Sequence, residues 1–358
     1  MLRAALIGLP SSGKTTLFQL MTSVHDSPRG KGDVNIGISK VPDERLDKLT
    51  AMYNPRKRVP ATVEFTDIVA PIRGGAQALV DVAGYKNADA LVHVVRAFRD
   101  PAVAHPAGAI DPARDAQTME DELILADLGV AERRLERIEK DLKRGKSPEL
   151  EKERDLVHRC KEALEHGTPL RALQLAGDDL KRLRGFQFLS AKPLLLVLNL
   201  DEADLPDADR AVQLAGIEHY VQGRNTRAVP ICAKIELEIA QLDPADAAAF
   251  MSDLGLRESG LDRVIRASYD LLGYISFFTV GEDENRAWSI PRGTNAQQAG
   301  GEIHTDIQRG FIRAEVVRYE HLLARGTLAA CRDHGELRLE GKDYIVLDGD
   351  VINFRHAT

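Results

Sequence analysis

The sequence predicts a doubly wound α/β sheet, interrupted by an antiparallel helical hairpin and followed by a small α+β domain. Three observations carry that expectation. A loop of pattern G-x-x-x-x-G-K-T, Gly8 to Thr15, stands between an apolar run and a helical one. Apolar strand-like runs then alternate with helical stretches, and each run ends in a polar motif, as ligand-binding edges of such sheets do. From Ala116, helical spacing persists for about fifty residues with one Gly/Pro break.

The first element is the apolar run Ala4, Ala5, Leu6, Ile7, read as a buried strand. The loop behind it needs small residues, because its backbone N–H groups must turn inward around phosphates and a Cβ at Gly8 or Gly13 would obstruct them. Lys14 is suited to reach the β- and γ-phosphates, and Thr15 to offer its hydroxyl to Mg²⁺. A helix opening at Thr16, Leu17, Phe18 would point its positive end at the anion. Leu9, Pro10, Ser11, Ser12, Gly13, Lys14, Thr15 and Thr16 are therefore the expected phosphate-binding residues.

Length and composition set the frame. A chain of 358 residues has room for two or three domains, and 44% hydrophobic with 29% charged residues is a globular balance. No apolar run approaches the ~20 residues of a membrane-spanning helix, and the apolar start runs directly into the phosphate loop, unlike a signal peptide. Cys160, Cys232 and Cys331 are far apart and odd in number, which suits reduced thiols in a cytoplasm. With a net charge of −7, nucleic-acid contact requires a local basic patch.

Residues 24 to 47 are polar and rich in Gly, Pro and Asp and read as a loop, with helical spacing from Asp43 to Met52. A basic run, Arg56, Lys57, Arg58, precedes a strand over Ala61 to Ile68. Asp67 at its end is placed to complete the magnesium shell opposite Thr15, or else to cap the next turn. A strand over Ala90 to Val95 leads to a Pro/Ala/Gly-rich loop containing His105. Leu125, Leu128, Leu135, Ile138 and Leu142, then Leu156, Cys160 and Leu164 after the break, describe the two arms of a coiled hairpin. Its remaining faces mix acids and bases, as a solvated helix does. Strands over Pro193 to Leu198 and Ala228 to Ile231 end in Asn199, Leu200, Asp201, Glu202 and in Cys232, Ala233, Lys234. Beyond Tyr274, short strands are expected at Ile275–Val280, Arg286–Ile290, Tyr344–Leu347 and Val351–Phe354, the last two joined by a hairpin turn at Asp348, Gly349, Asp350.

These strings resemble the Obg-like ATPase family, the YchF branch of the P-loop GTPases, over nearly the whole chain. The resemblance rests on the phosphate loop, on Val41, Pro42, Asp43 with Arg45, Leu46, Asp47, and on Asn199 with Glu202. It rests also on His304-Thr305-Asp306, on Gly310 to Ala314 and on Gly341 to Val346. It implies a coiled-coil insertion and a C-terminal TGS-like, ubiquitin-like β-grasp domain. It also implies a nucleotide hydrolase that prefers ATP, uses Mg²⁺ and associates with ribosomes. The corresponding domains are 1–120 and 188–275 for the P-loop domain, 121–187 for the hairpin and 276–358 for the TGS-like domain. His105 matches a histidine proposed for hydrolysis, alongside Lys14 as the second catalytic candidate.

The base-binding set implied is Asn199, Leu200, Glu202, Cys232, Ala233 and Lys234. Guanine readers carry N-K-x-D; here Leu200 stands for the Lys and the longer Glu202 for the Asp, so the paired hydrogen bonds to guanine are lost. Lys234 restores an ending seen in guanine binders. The nucleotide-sensing switches depart further: Lys31 falls where a threonine would cover the metal, Ala70 where a glycine senses the γ-phosphate, Pro71 at the next position, and Arg73 to Gln77 is shortened. The expected function is a slow Mg²⁺-dependent ATPase, with GTP also admitted, acting with the ribosome or RNA through the hairpin and the C-terminal domain. The alternative is a nucleotide-binding interaction module whose hydrolysis is vestigial.

Overall fold

The computed structural model describes residues 2–22, 34–68, 83–145, 147–175, 177–221, 223 and 225–357. Lys31, Ala70, Pro71 and Arg73 to Gln77 lie outside them. In chain order the strands are β1 (Leu2–Ile7), β2 (Val34–Lys40), β3 (Lys57–Val59), β4 (Thr62–Ile68), β5 (Ala90–Arg96) and β6 (Leu194–Asn199). They continue with β7 (Thr226–Ile231), β8 (Tyr274–Thr279), β9 (Glu284–Pro291), β10 (Phe311–Arg318), β11 (Arg338–Glu340) and β12 (Asp350–His356). The helices used below are α1 (Lys14–Thr22), α2 (Glu44–Tyr53), α3 (Pro112–Leu142), α4 (Pro148–Glu165) and α5 (Ala233–Ile239).

The chain forms two compact units, one of Met1–Ser39 with Glu64–Leu271, the other of Lys40–Val63 with Leu272–Thr358. The division assigns residues 40–63, expected in the P-loop domain, to the C-terminal unit. Side-chain pairing explains why: within that unit Asn285 Nδ2 donates to the Leu49 carbonyl at 3.0 Å, and Arg45 bridges Asp43 and Asp348. β3 also pairs in parallel with β9.

The sheet of the first unit runs β2-β4-β1-β5-β6-β7, with parallel pairing from β1 through β7. β5 and β6 are buried at every position, which is why they read as continuous apolar runs rather than alternating ones. β2 falls inside the stretch expected to be loop. Its apolar alternation is inverted: Val34, Ile36 and Ile38 are exposed while Asn35 and Ser39 are among the inward residues.

The hairpin begins earlier than expected. α3 starts at Pro112, capped by Asp111, whose carboxylate accepts from the Arg114 N–H. Its first turns belong to the sheet: Ala116, Met119, Leu123 and Ala126 pack with Ile7, Leu91 and Leu196. Farther along, Ala131 and Leu135 meet Leu156, Val157, Cys160 and Leu164 of α4 in a separate core that also takes in Leu170, Leu183 and Phe188. One long helix therefore serves both layers. Where it leaves the sheet, Asp127, 1% exposed, accepts from the Leu189 and Ser190 N–H groups and the Ser190 hydroxyl at 2.8, 2.7 and 2.6 Å. Burial pushes this carboxyl up to about 6, against the donors, which favour the anion.

The second unit holds a mixed sheet of order β11-β10-β12-β8-β9-β3, in which β12 lies antiparallel to β10 and parallel to β8. The expected hairpin at Asp348 to Asp350 is absent. Residues 344–347 contribute an isolated bridge, Ile345 to Asn295, and Asp350 is fully buried, accepting from the Tyr344 hydroxyl at 2.8 Å and pairing with Arg318 at 3.2 Å. That carboxylate pins the turn inward, so β12 pairs with strands distant in sequence. No described helix is long and apolar enough to cross a membrane.

Candidate functional site

The loop between β1 and α1 is built on backbone that side chains resist: φ is +139° at Gly8 and +97° at Gly13. A Cβ at Gly8 would lie 2.4 Å from the Val94 carbonyl oxygen, and one at Gly13 2.5 Å from Asn199 Nδ2. Both positions are closed to any larger residue. Lys14 Nζ folds back and donates to the Gly8 and Leu9 carbonyls at 2.8 and 2.9 Å. Burial holds its pKa below the usual lysine value, partly countered by Asp67. Thr15 Oγ1 donates to Asp67 Oδ2 at 3.1 Å, and Asp67 is 1% exposed at the end of β4. Burial raises the Asp67 carboxyl, opposed by Thr15 and Lys14.

A hydroxyl and a carboxylate side by side are hard oxygen donors of the kind Mg²⁺ takes when phosphates and water complete its shell. The described residues gather no group of three or more His, Cys, Asp and Glu side chains for a metal. Thr15 and Asp67 thus fit a cation shared with a phosphate ligand rather than a closed protein cage. Ser12, 2% exposed, has a hydroxyl with no hydrogen-bond partner among the described residues.

Beside the loop a cleft of about 840 Å³ is lined by Gly13 and Thr16, by Asn199 to Asp204, by Cys232 to Lys234 and by Phe98 to Pro101 with Val103. Asn199 spends its amide on bracing: Nδ2 donates to the Ser12 carbonyl at 3.1 Å and Oδ1 accepts from the Ala233 N–H at 3.0 Å. It ties the phosphate loop to the start of α5. Leu200 and Cys232 are 2% exposed, presenting little more than an edge to the cleft. Glu202 pairs with Lys234 at 3.2 Å.

His105 does not stand in solvent as a free loop base. Its Nε2 lies 2.7 Å from Asp115 Oδ2 and its Nδ1 accepts from the Ala107 N–H at 3.1 Å, with the side chain 3% exposed. That pattern makes Nε2 the protonated nitrogen, and both nitrogens are engaged. Asp115, in the first turn of α3, is held in turn by Arg114.

Against this geometry, three comparisons agree. Residues 274–357 match the model YchF-GTPase_C, described as a protein of unknown function (DUF933). The ribosome-binding ATPase YchF of Bacillus subtilis is 42% identical over 362 residues, covering 99% of both chains. The chain belongs to the YchF family. The ribosome-binding ATPase YchF of Escherichia coli O157:H7 is 37% identical, covering 98% of both chains. The YchF GTPase of Schizosaccharomyces pombe superposes with a TM-score of 0.84 at 28% identity, over 99% of this chain and 97% of that one.

In this YchF-family chain the sequence reading missed the wall of the cleft contributed by residues 98–103. The signal was there: the segment follows β5, and ligands sit beyond the C-terminal ends of such strands. Its Pro/Ala/Gly content hid Phe98. His93 was missed for another reason, being an imidazole inside an apolar strand. It is 2% exposed, Nε2 has no partner among the described residues, and burial, reinforced by Lys14 and Arg171, lowers its pKa to about 3 from 6.5. A folded pKa below the unfolded one gives stability that is present above pH 6.5 and lost as pH falls. Denaturation at pH 7.5 and 5.5 should show the wild type losing about 1.4 kcal/mol more than His93→Gln. A gap independent of pH would contradict a buried neutral imidazole.

Proposed function

We propose that this chain binds a purine nucleoside triphosphate in its first unit, hydrolyses it slowly with Mg²⁺, and works in association with the ribosome. One observation carries the nucleotide reading: the cleft lined by Asn199, Glu202 and Lys234 is also lined by Gly13 and Thr16, which flank Lys14 and the Asp67-bonded Thr15 in the chain. The phosphates would lie on residues 9–16, with Thr15 and Asp67 as the Mg²⁺ ligands. The metal would neutralise charge on the transferring phosphoryl group.

The Glu202–Lys234 pair favours adenine tolerance. A guanine reader needs a free carboxylate to accept two N–H donors, and this one is occupied as well as displaced by a methylene. Calorimetric titration of nucleotide-stripped protein is expected to show ATP binding at least as tightly as GTP. GTP tighter by tenfold, about 1.4 kcal/mol, would overturn this reading of the base site.

The vestigial alternative has one observation in its favour, the engagement of both His105 nitrogens. To order a water, this imidazole must first break from Asp115 or from Ala107. Phosphate release that depends on Lys14 and falls in His105→Ala supports the ATPase; none above the Lys14→Ala background supports the binding module.

The ribosomal reading draws on the relatives, which are described as ribosome-binding, and on a cleft of about 580 Å³ along the hairpin. It is lined by Arg133, Arg134, Arg137 and Arg182 with Glu153 as its one acid. Arg134 is spent on Glu153 and Arg182 on Glu149, which leaves Arg133 and Arg137 exposed for a polyanion. Reversing Arg133 and Arg137 to Glu should reduce co-sedimentation with ribosomes by several-fold, with the difference shrinking in high salt. Unchanged co-sedimentation would remove the hairpin from the interface. We read the C-terminal sheet, the TGS-like module, as a second contact.

A further inference from the structure

Arg96, the last residue of β5, is 3% exposed, and among the described residues none of its hydrogen bonds goes to a carboxylate. Its guanidinium instead gathers the backbone that follows. Nε donates to the Phe98 carbonyl at 3.2 Å, and Nη2 donates to those of Asp100 and Val103 at 3.3 and 2.9 Å. The same group lies over the Phe98 ring, 4.4 Å from its centroid. A buried cation with carbonyl partners and an Nη1 that has none among the described residues is costly unless the geometry rewards it. A planar fork reaches carbonyls spread along one loop from separate nitrogens, whereas an ammonium donates from one.

That loop is clamped from its other side by the base motif. Ala97 and Phe98 N–H both donate to the Asn199 carbonyl, at 2.9 and 3.0 Å, and the Arg99 N–H donates to the Asp201 carboxylate at 3.1 Å. Phe98, Pro101 and Val103 then present apolar surface to the nucleotide cleft. The loop is one wall of the base end of the site, and Arg96 is its only described side chain holding three carbonyls of that wall.

We propose that Arg96 is a positioning residue that sets the base side of the cleft, so that it governs the part of nucleotide affinity that comes from the base and not the part that comes from the phosphates. The proposal rests on the nucleotide reading above and deepens it. Among the described residues Arg96 donates no hydrogen bond to the phosphate loop, whose Gly8, Leu9 and Ser12 carbonyls accept instead from Lys14 and Asn199. Loosening the wall leaves the phosphate cradle standing.

The test compares Mg-ATP with Mg-tripolyphosphate, which carries three phosphates but neither base nor ribose, on the full chain by calorimetry. For Arg96→Gln, ATP affinity should fall at least tenfold while tripolyphosphate affinity stays within twofold of wild type. Arg96→Lys, which keeps the buried cation, should fall between and stands in if the Gln variant does not fold. Hydrogen exchange on nucleotide-free Arg96→Lys should accelerate at the amides of residues 98–104 and not at those of residues 8–15. Equal losses for the two ligands, or unchanged ATP affinity, would overturn the proposal. A wild type that binds neither ligand would overturn the nucleotide reading itself, a result visible before any variant is made.

Discussion

Lys14→Ala should lose about 100-fold or more in ATP affinity while folding normally. In the absence of ligand the ammonium rests on the Gly8 and Leu9 carbonyls, which can turn to water when it is gone. In the complex it would instead supply a side-chain cation to the β- and γ-phosphates, and charge-assisted bonds of that kind contribute about 1.5–3 kcal/mol each. The ammonium would exchange neutral carbonyls for ion–phosphate contacts charged on both sides, and two orders of magnitude correspond to a net gain of about 2.8 kcal/mol from that exchange. Calorimetry measures the loss, and a melting curve shows that the fold is intact. Near-normal affinity would mean that the triphosphate lies elsewhere.

The largest effect on stability is expected at Asp127. Asp127→Ala leaves the Leu189 and Ser190 N–H groups buried without an acceptor. Each orphaned group costs about 1–3 kcal/mol, so the first unit should lose about 3–5 kcal/mol. At ~2–4 °C per kcal/mol the midpoint should drop by about 6–20 °C. Asp127→Asn should be intermediate, because one amide oxygen can accept while its NH₂ faces a donor. If Asp127→Ala melts within two degrees of wild type, on a scale of about 2 °C per kcal/mol, this carboxylate does not anchor α3 to the segment before β6.

How much of this was legible follows from where the determinants sit. The phosphate loop could be read because glycine spacing, Lys14 and Thr15 are a local code between a strand and a helix. β5 and β6 could be read because burial on both faces makes them uniformly apolar. β2 was not, because its pattern is inverted: Val34, Ile36 and Ile38 face outward while Asn35 and Ser39 are buried, Ser39 Oγ donating to the Met21 carbonyl. The start of α3 was masked because its first turns carry sheet contacts rather than the hairpin period. Residues 344–347 looked like a strand from composition, but the burial of Asp350 decides the turn, and no local pattern announces a buried aspartate. His105 was found by resemblance, yet its engagement by Asp115 depends on the first turn of a helix ten residues on.

The most direct test is an experimental structure of the full chain with Mg²⁺ and a non-hydrolysable ATP analogue. The account expects three phosphates along residues 9–16, Lys14 released from the Gly8 and Leu9 carbonyls, a cation on Thr15 and Asp67, and the base between Phe98 and the Asn199–Glu202 motif. A nucleotide bound outside that cleft, or phosphates with no contact to Lys14, would contradict it.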